Sequence, residues 1–484
     1  MNVRSLVFAA ALLPLAASAP RAAGGAPPAL RPCPPAAQQP AGALCGQISV
    51  PEDRAIKAGR QIALSLVVLP SRSAAGRLDP VFGLAGGPGI GATRLAVSYP
   101  RLYDMLQNDH DIVLVDQRGT GGSHPLFCGP PDLSQVPGQA LDEPLDDKTL
   151  LRCRDRLAKD ADLRQYTTSA AADDLEAVRQ ALGYGTINLL GVSYGTRVGL
   201  EYLRRYGPHV RAIALSGVFS PSYRDALNGP IEVQRALKNL FATCAADAAC
   251  HEAFPSLAAD ADTILAALDK KPAAAMLPLG DGQPPLKVTI SRTVFARALA
   301  SLLASREDVT VLPLVLHSAA TGDFVPFAGV AIVREASRNP QADGMALSAI
   351  CARDGASLTP AAIAAAARGT FLRDDRARFF KRACAIWPRG AADAASAVRS
   401  DVPALLISGA LDPVAPSSYA ADVAATLPKS THVIVANVAH VPANPCVHGL
   451  VAGFLKAGST QGLDTTCAAK IPPLKFALSM PKVQ

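Results

Sequence analysis

The serine of Gly191-Val192-Ser193-Tyr194-Gly195 has the setting of a nucleophile. A hydroxyl flanked by glycines two residues away on each side can sit in a turn too tight for any Cβ at those flanks, lifted clear of the chain behind it. Serine alone is a weak nucleophile and needs a base, and the base needs an acid to orient it. Asp412, in Ser408-Gly409-Ala410-Leu411-Asp412-Pro413, and His440, in Asn437-Val438-Ala439-His440, supply those residue types later in the chain. The chemistry would be attack by Ser193 on an acyl carbon, with His440 moving the proton and Asp412 holding the imidazole. The negative charge that develops on the acyl oxygen needs N–H donors. The N–H of Tyr194 and an N–H of the Gly86-Gly87 turn are the candidates for that oxyanion hole.

Hydrophobic periodicity says which elements carry these residues. The apolar run 187–190 reads as a short buried strand that leads into Ser193, and a helix follows from 194 to about 206, stopped by Gly207-Pro208. Upstream, Thr168 reads as an N-cap and Leu175, Val178 and Leu182 recur at helical spacing. Further buried strands are expected at 81–84, 111–116, 210–218, 402–408 and 432–435, while 46–50 and 61–70 read as a strand pair around a polar turn. Alternating helices and strands build a mostly parallel sheet, and parallel strands all end on one edge. Ser193, Asp412, His440 and the Gly86-Gly87-Pro88-Gly89 turn each follow a strand, so they share that edge. The competing histidines are placed less well: His432 at a strand start, His448 inside a helix, His110 ahead of its strand. Arg118, in the loop after 111–116, has two readings: it orients the glycine turn or touches substrate, or it pairs with Asp116.

The 484 residues exceed one small domain, and the 49% hydrophobic content suffices for a sizeable core. The expected organisation is an export signal (1–23), a Pro/Ala/Gly-rich linker (24–44), a first core part (45–220), a mainly helical cap insertion (221–399) and a C-terminal core part (400–484). The export signal rests on Arg4, the apolar run 6–17 and a cleavage site at Ala17-Ser18-Ala19 or, since Pro20 is a poor following residue, at Ala22-Ala23. Later segments are too interrupted for a stable membrane anchor. The net charge of +7 is scattered, which excludes a nucleic-acid footprint. Ten cysteines suit an oxidising compartment, periplasmic or external. The simplest pairing joins sequence neighbours: Cys33–Cys45, Cys128–Cys153, Cys244–Cys250, Cys351–Cys384 and Cys446–Cys467. No Cys-x-x-Cys spacing occurs, which speaks against metal and thioredoxin-like readings, and nothing in the sequence implies a metal or an organic cofactor.

Together, Ala85-Gly86-Gly87-Pro88-Gly89, Asp116-Gln117-Arg118-Gly119-Thr120-Gly121-Gly122-Ser123, Gly191-Val192-Ser193-Tyr194-Gly195-Thr196, the Asp412 segment and Val438-Ala439-His440 resemble the prolyl aminopeptidase and tripeptidyl aminopeptidase family of α/β-hydrolases. The order Ser, acid, His is that of the fold. The C-terminal part resembles the tripeptidyl-aminopeptidase type, and the resemblance runs from about Cys45 to Cys467. It implies an α/β-hydrolase fold, a mostly parallel sheet flanked by helices with a helical cap. It also implies an exported serine exopeptidase that takes peptide substrates by their free N-terminus through an acyl-enzyme. A carboxylic-ester hydrolase on the same scaffold is the alternative. Acidic side chains in or near the cap would hold the substrate amine, and Glu232, Glu335 and Asp354 are the candidates. Prolyl aminopeptidases usually carry His before Gly-Gly-Pro-Gly. This chain carries Ala85, so strict proline specificity does not carry over.

Overall fold

The computed structural model describes residues 28–73, 78–129, 141, 145–278 and 284–479. The expected export signal, 1–23, lies outside them. Nine strands form the main sheet: β1 (Arg31–Pro32), β2 (Leu44–Pro51), β3 (Gln61–Leu69), β4 (Leu78–Leu84), β5 (His110–Val115), β6 (Ile187–Val192), β7 (Val210–Ser216), β10 (Ala404–Gly409) and β11 (Ser430–Val435), with β8 (Ala273–Leu277) and β9 (Leu286–Ile290) forming a separate hairpin. The sheet order is β1-β2-β3-β5-β4-β6-β7-β10-β11. Pairing is antiparallel from β1 to β5 across β2 and β3, and parallel from β5 through β11. The stretch read as a linker is tied to the sheet edge, Arg31 opposite Cys45 and Pro32 opposite Leu44, with the Cys33–Cys45 disulfide beside them.

The apolar pattern sorts side chains to the two faces. Ile62, Leu64, Leu66 and Val68 of β3 pack on one face with Leu175, Val178, Val198 and Tyr202 of the flanking helices. The alternation predicts a strand buried on one side only, yet Val67 and Leu69 are buried too, on the opposite face with Leu102, Leu450 and Phe454. That face is covered by the helices Pro100–Leu106 and Pro445–Ala457. The helix ahead of the elbow spans Thr168–Ala181, and its N-cap is Thr167 rather than Thr168, with the Thr167 hydroxyl accepting from the Ala170 N–H. The Thr168 hydroxyl instead meets the Tyr194 hydroxyl at 3.0 Å.

Between β7 and β10 the chain is mostly helical and is not uniform. The long helix Asp225–Ala246, with Pro230 inside it, and the helices Arg292–Leu302, Arg306–Ala320 and Val325–Ala336 build their own apolar cluster around Leu240, Phe295, Leu299 and Phe327. The β8–β9 hairpin packs into it through Ala275 and Val288, an element that the helical pattern did not announce. The helices Asp343–Asp354 and Asp375–Ile386 behave differently: Met345, Cys351, Phe380 and Cys384 join the main core, and Cys351–Cys384 links the two helices. Disulfides also join Cys128 to Cys153, Cys244 to Cys250 and Cys446 to Cys467. Among the described residues no helix is long and apolar enough to cross a membrane.

Candidate active site

β6 delivers Ser193 into a turn of high strain. The backbone of Ser193 stands at φ 53° and ψ −123°, a conformation that L-residues avoid and that surrounding structure must enforce. Close packing enforces it. A Cβ on Gly195 would lie 2.1 Å from the Leu84 carbonyl oxygen, and one on Gly191 would lie 2.7 Å from the Gly195 oxygen. The helix Tyr194–Tyr206 starts here, so its first N–H groups, which have no carbonyl a turn earlier, cluster beside Ser193. Thr196 fastens the turn from inside the helix. Its hydroxyl donates to the Ser193 carbonyl at 2.6 Å and accepts from the Phe219 N–H at 3.0 Å, which ties the elbow to the loop after β7.

The other two side chains arrive from β10 and β11. His440 Nε2 stands 2.8 Å from Ser193 Oγ, and His440 Nδ1 stands 2.8 Å from Asp412 Oδ2. Asp412 is fully buried; its second oxygen accepts the N–H groups of Val414 at 2.7 Å and Ala415 at 2.8 Å. The carboxylate is therefore fixed on three sides, and its position fixes the imidazole. The His440 N–H donates to the Ala304 carbonyl at 3.2 Å, a residue of the helical insertion. Gly217, at φ +64°, leaves room for the ring: a Cβ there would lie 2.9 Å from His440 Cε1.

The glycine turn lies against Ser193. A Cβ on Gly86 would come within 3.0 Å of Ser193 Cβ and 3.5 Å of Ser193 Oγ, so only bare backbone fits at that distance. Gly87, at φ +106°, follows, and the turn is braced from the insertion: Ala342 N–H donates to the Gly89 carbonyl at 2.9 Å and Gln341 Nε2 to the Pro88 carbonyl at 2.7 Å. Gly86 thus lies beside the Ser193 hydroxyl, Gly87 follows it in the same turn, and Tyr194 is the first residue of the helix after Ser193. A serine that can lose its proton to an aligned imidazole, with backbone N–H groups at hand for an oxyanion, is equipped for acyl transfer.

The structure separates the three carboxylates suggested for substrate binding. Glu232, on the long helix, pairs with Arg235 at 2.8 Å and takes the Tyr419 hydroxyl at 3.4 Å. Arg235 in turn donates to the Asp412 backbone carbonyl at 2.7 Å, so Glu232 borders the acid loop. Burial, and then the Glu232 carboxylate, push the Tyr419 phenol up from its usual range. Glu335, near the end of the helix Val325–Ala336, accepts the Ser301 hydroxyl of the helix Arg292–Leu302 at 2.6 Å and pairs with Arg338 at 3.0 Å. Asp354 is not brought to the site. It is fully buried and chelated by Arg353 at 2.5 and 2.7 Å, and it caps the Asp225 N–H at 3.1 Å. An internal ion pair satisfies it, leaving nothing for a substrate amine.

Arg118 also departs from expectation. It is fully buried and holds Asp174 at 2.6 and 2.7 Å and the carbonyls of Pro51, Glu52 and Gln165, so it neither pairs with Asp116 nor meets the glycine turn. Asp116 instead organises its own loop, accepting from Thr93 and Gly122. The passed-over histidines are occupied elsewhere: His110 opens β5 with Nδ1 on the Asp79 carbonyl, His432 lies inside β11 against Ser408 Oγ, and His448 is buried in the helix Pro445–Ala457. An aromatic file that sequence reasoning missed runs from the site: Phe219 stands 6.4 Å from the His440 ring and 4.8 Å from Tyr223, which stands 5.0 Å from Tyr419. Under it, Arg197 donates to the Ser220 and Tyr223 carbonyls, and burial together with nearby Arg353 lowers its pKa to about 9.

Comparison with known proteins agrees with this fold. The family model described as alpha/beta hydrolase fold matches residues 80–251, and the one described as TAP-like protein matches residues 371–467. The chain is 32% identical over 232 residues to serine protease Hip1 of Mycobacterium tuberculosis, covering 44% of this chain and 43% of that protein. It is 31% identical over 193 residues to a tripeptidyl aminopeptidase of Streptomyces coelicolor, covering 37% of this chain and 35% of that one. It is 28% identical over 141 residues to a proline iminopeptidase of Neisseria gonorrhoeae, covering 29% and 33%. The matched part spans less than half the length of these relatives.

Proposed function

We propose that this chain, which belongs to the α/β-hydrolase family and carries a TAP-like C-terminal portion, is an exported serine exopeptidase that cleaves peptide bonds near a free N-terminus. The observation that carries the proposal is the continuous file Ser193 Oγ, His440 Nε2, His440 Nδ1, Asp412 Oδ2, each contact 2.8 Å, at the carboxyl edge of parallel strands. Ser193 attacks the peptide carbonyl carbon while its proton passes to His440 Nε2. The oxyanion is held by the Tyr194 N–H and by the Gly86-Gly87 turn. His440 returns the proton to the departing amine nitrogen, which breaks the C–N bond and leaves an acyl-enzyme. Water then attacks the ester carbonyl with His440 again as base, releasing the acid and the Ser193 hydroxyl. Removal of one oxyanion donor costs about 3–4 kcal/mol in comparable sites.

The peptide direction draws on the similar peptidases, and Glu232, which borders the acid loop through Arg235, and Glu335, which pairs with Arg338 at 3.0 Å at 17% side-chain exposure, are the carboxylates proposed for the substrate ammonium. Five disulfides fit an oxidising compartment, in keeping with export. The helices between β7 and β10, with Ala304 in the turn between two of them bonded to the His440 N–H, are proposed as the substrate cap. The test is a panel of aminoacyl- and peptidyl-amides, each free and N-acetylated, given to the wild-type protein, to Ser193→Ala and to Glu232→Gln and Glu335→Gln. Cleavage confined to free amines, lost in Ser193→Ala and with KM raised in a glutamate variant, is expected. Ser193-dependent cleavage of simple esters with no amide cleavage would replace the peptidase by an esterase.

A further inference from the structure

Resting on the triad reading above, we infer that Arg306 is a positioning residue for His440, through which the helical insertion and the C-terminal tail set the geometry of the catalytic base. The loop that carries His440 is one that the chain would not hold unaided. Asn437 and Val441, three residues before the histidine and one after it, both stand at positive φ, 56° and 51°, and neither is glycine. Asparagine enters that region readily whereas β-branched Val441 does so at a cost, and the loop between them is held by contacts from outside it.

Those contacts come from two directions. Arg306 Nη1 donates to the Asn437 carbonyl, and Nη2 donates to the Pro472 carbonyl at 3.0 Å and to the Pro473 carbonyl at 3.2 Å. Two residues earlier, Ala304 accepts the His440 N–H at 3.2 Å. On the tail side, Asn437 Nδ2 donates to the Ile471 carbonyl at 2.8 Å and Ala436 N–H to the Ala468 carbonyl at 3.0 Å, while Cys446–Cys467 ties this tail to the helix after the loop. One guanidinium therefore joins three segments far apart in sequence: the insertion, the histidine loop and the tail.

The place of Arg306 in its own helix favours the same assignment. It is the first residue of the helix Arg306–Ala320, whose N-cap Ser305 accepts the Asp308 N–H. A cation is unfavourable at that end of the helix dipole, where Glu307 and Asp308 are the favoured types. All of the hydrogen bonds of Arg306 go to backbone carbonyls of the clamp, and the planar fork of arginine serves several carbonyls at once where a lysine would serve one. Neither the peptide nor the ester reading of the substrate enters this argument.

The experiment uses the full chain and a fluorophosphonate probe, which reports serine nucleophilicity without a substrate class. The wild type is expected to label at Ser193, and absence of that label would remove the triad reading and this inference with it. Given wild-type labelling, Arg306→Ala is expected to label about 10- to 100-fold more slowly, as for a catalytic group displaced by about 1 Å, and to lose kcat with KM held. Arg306→Lys, which can still reach the Asn437 carbonyl, is expected to recover part of the rate. If Arg306→Ala does not fold, Arg306→Lys carries the test, with a slowed label at unchanged KM. A folded variant that labels within about twofold of wild type, or that loses only thermal stability, overturns the inference.

Discussion

Replacing Asp412 by asparagine isolates what the acid does for the base. The side chain keeps its shape, and only the distribution of donors and acceptors changes. Asp412 Oδ1 accepts two N–H groups, from Val414 at 2.7 Å and Ala415 at 2.8 Å, while Oδ2 faces His440 Nδ1 at 2.8 Å. An amide offers one oxygen and one NH2. Turning the NH2 toward Val414 and Ala415 would leave two buried donors unpaired, at about 1–3 kcal/mol each, or about 2–6 kcal/mol together. The amide oxygen therefore stays on the two N–H groups, and the NH2 points at His440 Nδ1. Nδ1 must then accept, so the ring proton moves to Nε2, which faces Ser193 Oγ at 2.8 Å. An Nε2 that carries a proton cannot take one from serine. The same exchange in a serine-protease triad lowers kcat about 10⁴-fold, equivalent to about 5 kcal/mol of transition-state stabilisation. The expected result for Asp412→Asn is a kcat fall of that order, with urea unfolding within about 1 kcal/mol of wild type because the two turn bonds survive. Asp412→Ala should lose both activity and stability. An Asp412→Asn enzyme within about tenfold of wild-type kcat would refute the tautomer argument.

Three further outcomes follow from the packing. Gly195→Ala should abolish labelling of Ser193 by a fluorophosphonate, because its Cβ would stand 2.1 Å from the Leu84 carbonyl oxygen and the elbow cannot close; retained labelling would mean that the turn has slack. Arg118→Ala should cost about 3–5 kcal/mol in urea unfolding, since it leaves Asp174 buried without its main partner; a loss below about 1 kcal/mol would show that Arg54, at 2.5 Å from the same carboxylate, suffices. Burial lowers the pKa of His432, so the fold resists its protonation. Its contribution to stability is present above the unfolded value of about 6.5 and is lost as pH falls. The drop in Tm between about pH 7 and about pH 5 should be smaller in His432→Gln than in wild type, and equal slopes would count against that assignment.

What the sequence made legible divides by the range of the interaction. The elbow and the strand ends could be read because periodicity and turn chemistry are local: 187–190 lies within β6, and the apolar run 402–408 within one or two residues of β10. Topology did the rest, since parallel strands put Ser193, Asp412 and His440 on one edge before any distance was known. Contacts set by tertiary distance were not legible. Arg118 stands two residues from Asp116, yet its partner Asp174 is 56 residues away along the chain, and charge alternation along a loop carries no trace of that. Asp354 differs, since its partner Arg353 is the adjacent residue; what the sequence did not reveal is that the pair is buried in the core. Thr196 is the intermediate case. It was visible beside the elbow, but its role needs the Phe219 N–H, 23 residues on.

The links between strand ends explain why so many loops converge on one hydroxyl. Thr196 joins the elbow to the loop after β7. That loop's Gly217 N–H donates to the Ile407 carbonyl of β10 at 2.9 Å, and Leu411 N–H, beside Asp412, donates to the Val438 carbonyl at 2.9 Å. The Ser193 turn is therefore bonded to the loop after β7, that loop to β10, and the Asp412 loop to the His440 loop. In such a chain, an error of position at one loop passes to its neighbours rather than staying local. Strain at Ser193 is tolerable because the turn is held from both sides, by Leu84 and Ala85 of the glycine-turn strand and by Ser216 of β7, whose carbonyl accepts the Ser193 N–H at 2.9 Å. The relay's two 2.8 Å contacts are consequences of that lattice of backbone bonds, and the insertion contributes to it through Ala304 and Ala342. An insertion that bonds both the base loop and the glycine turn is part of the site's framework even before a substrate arrives.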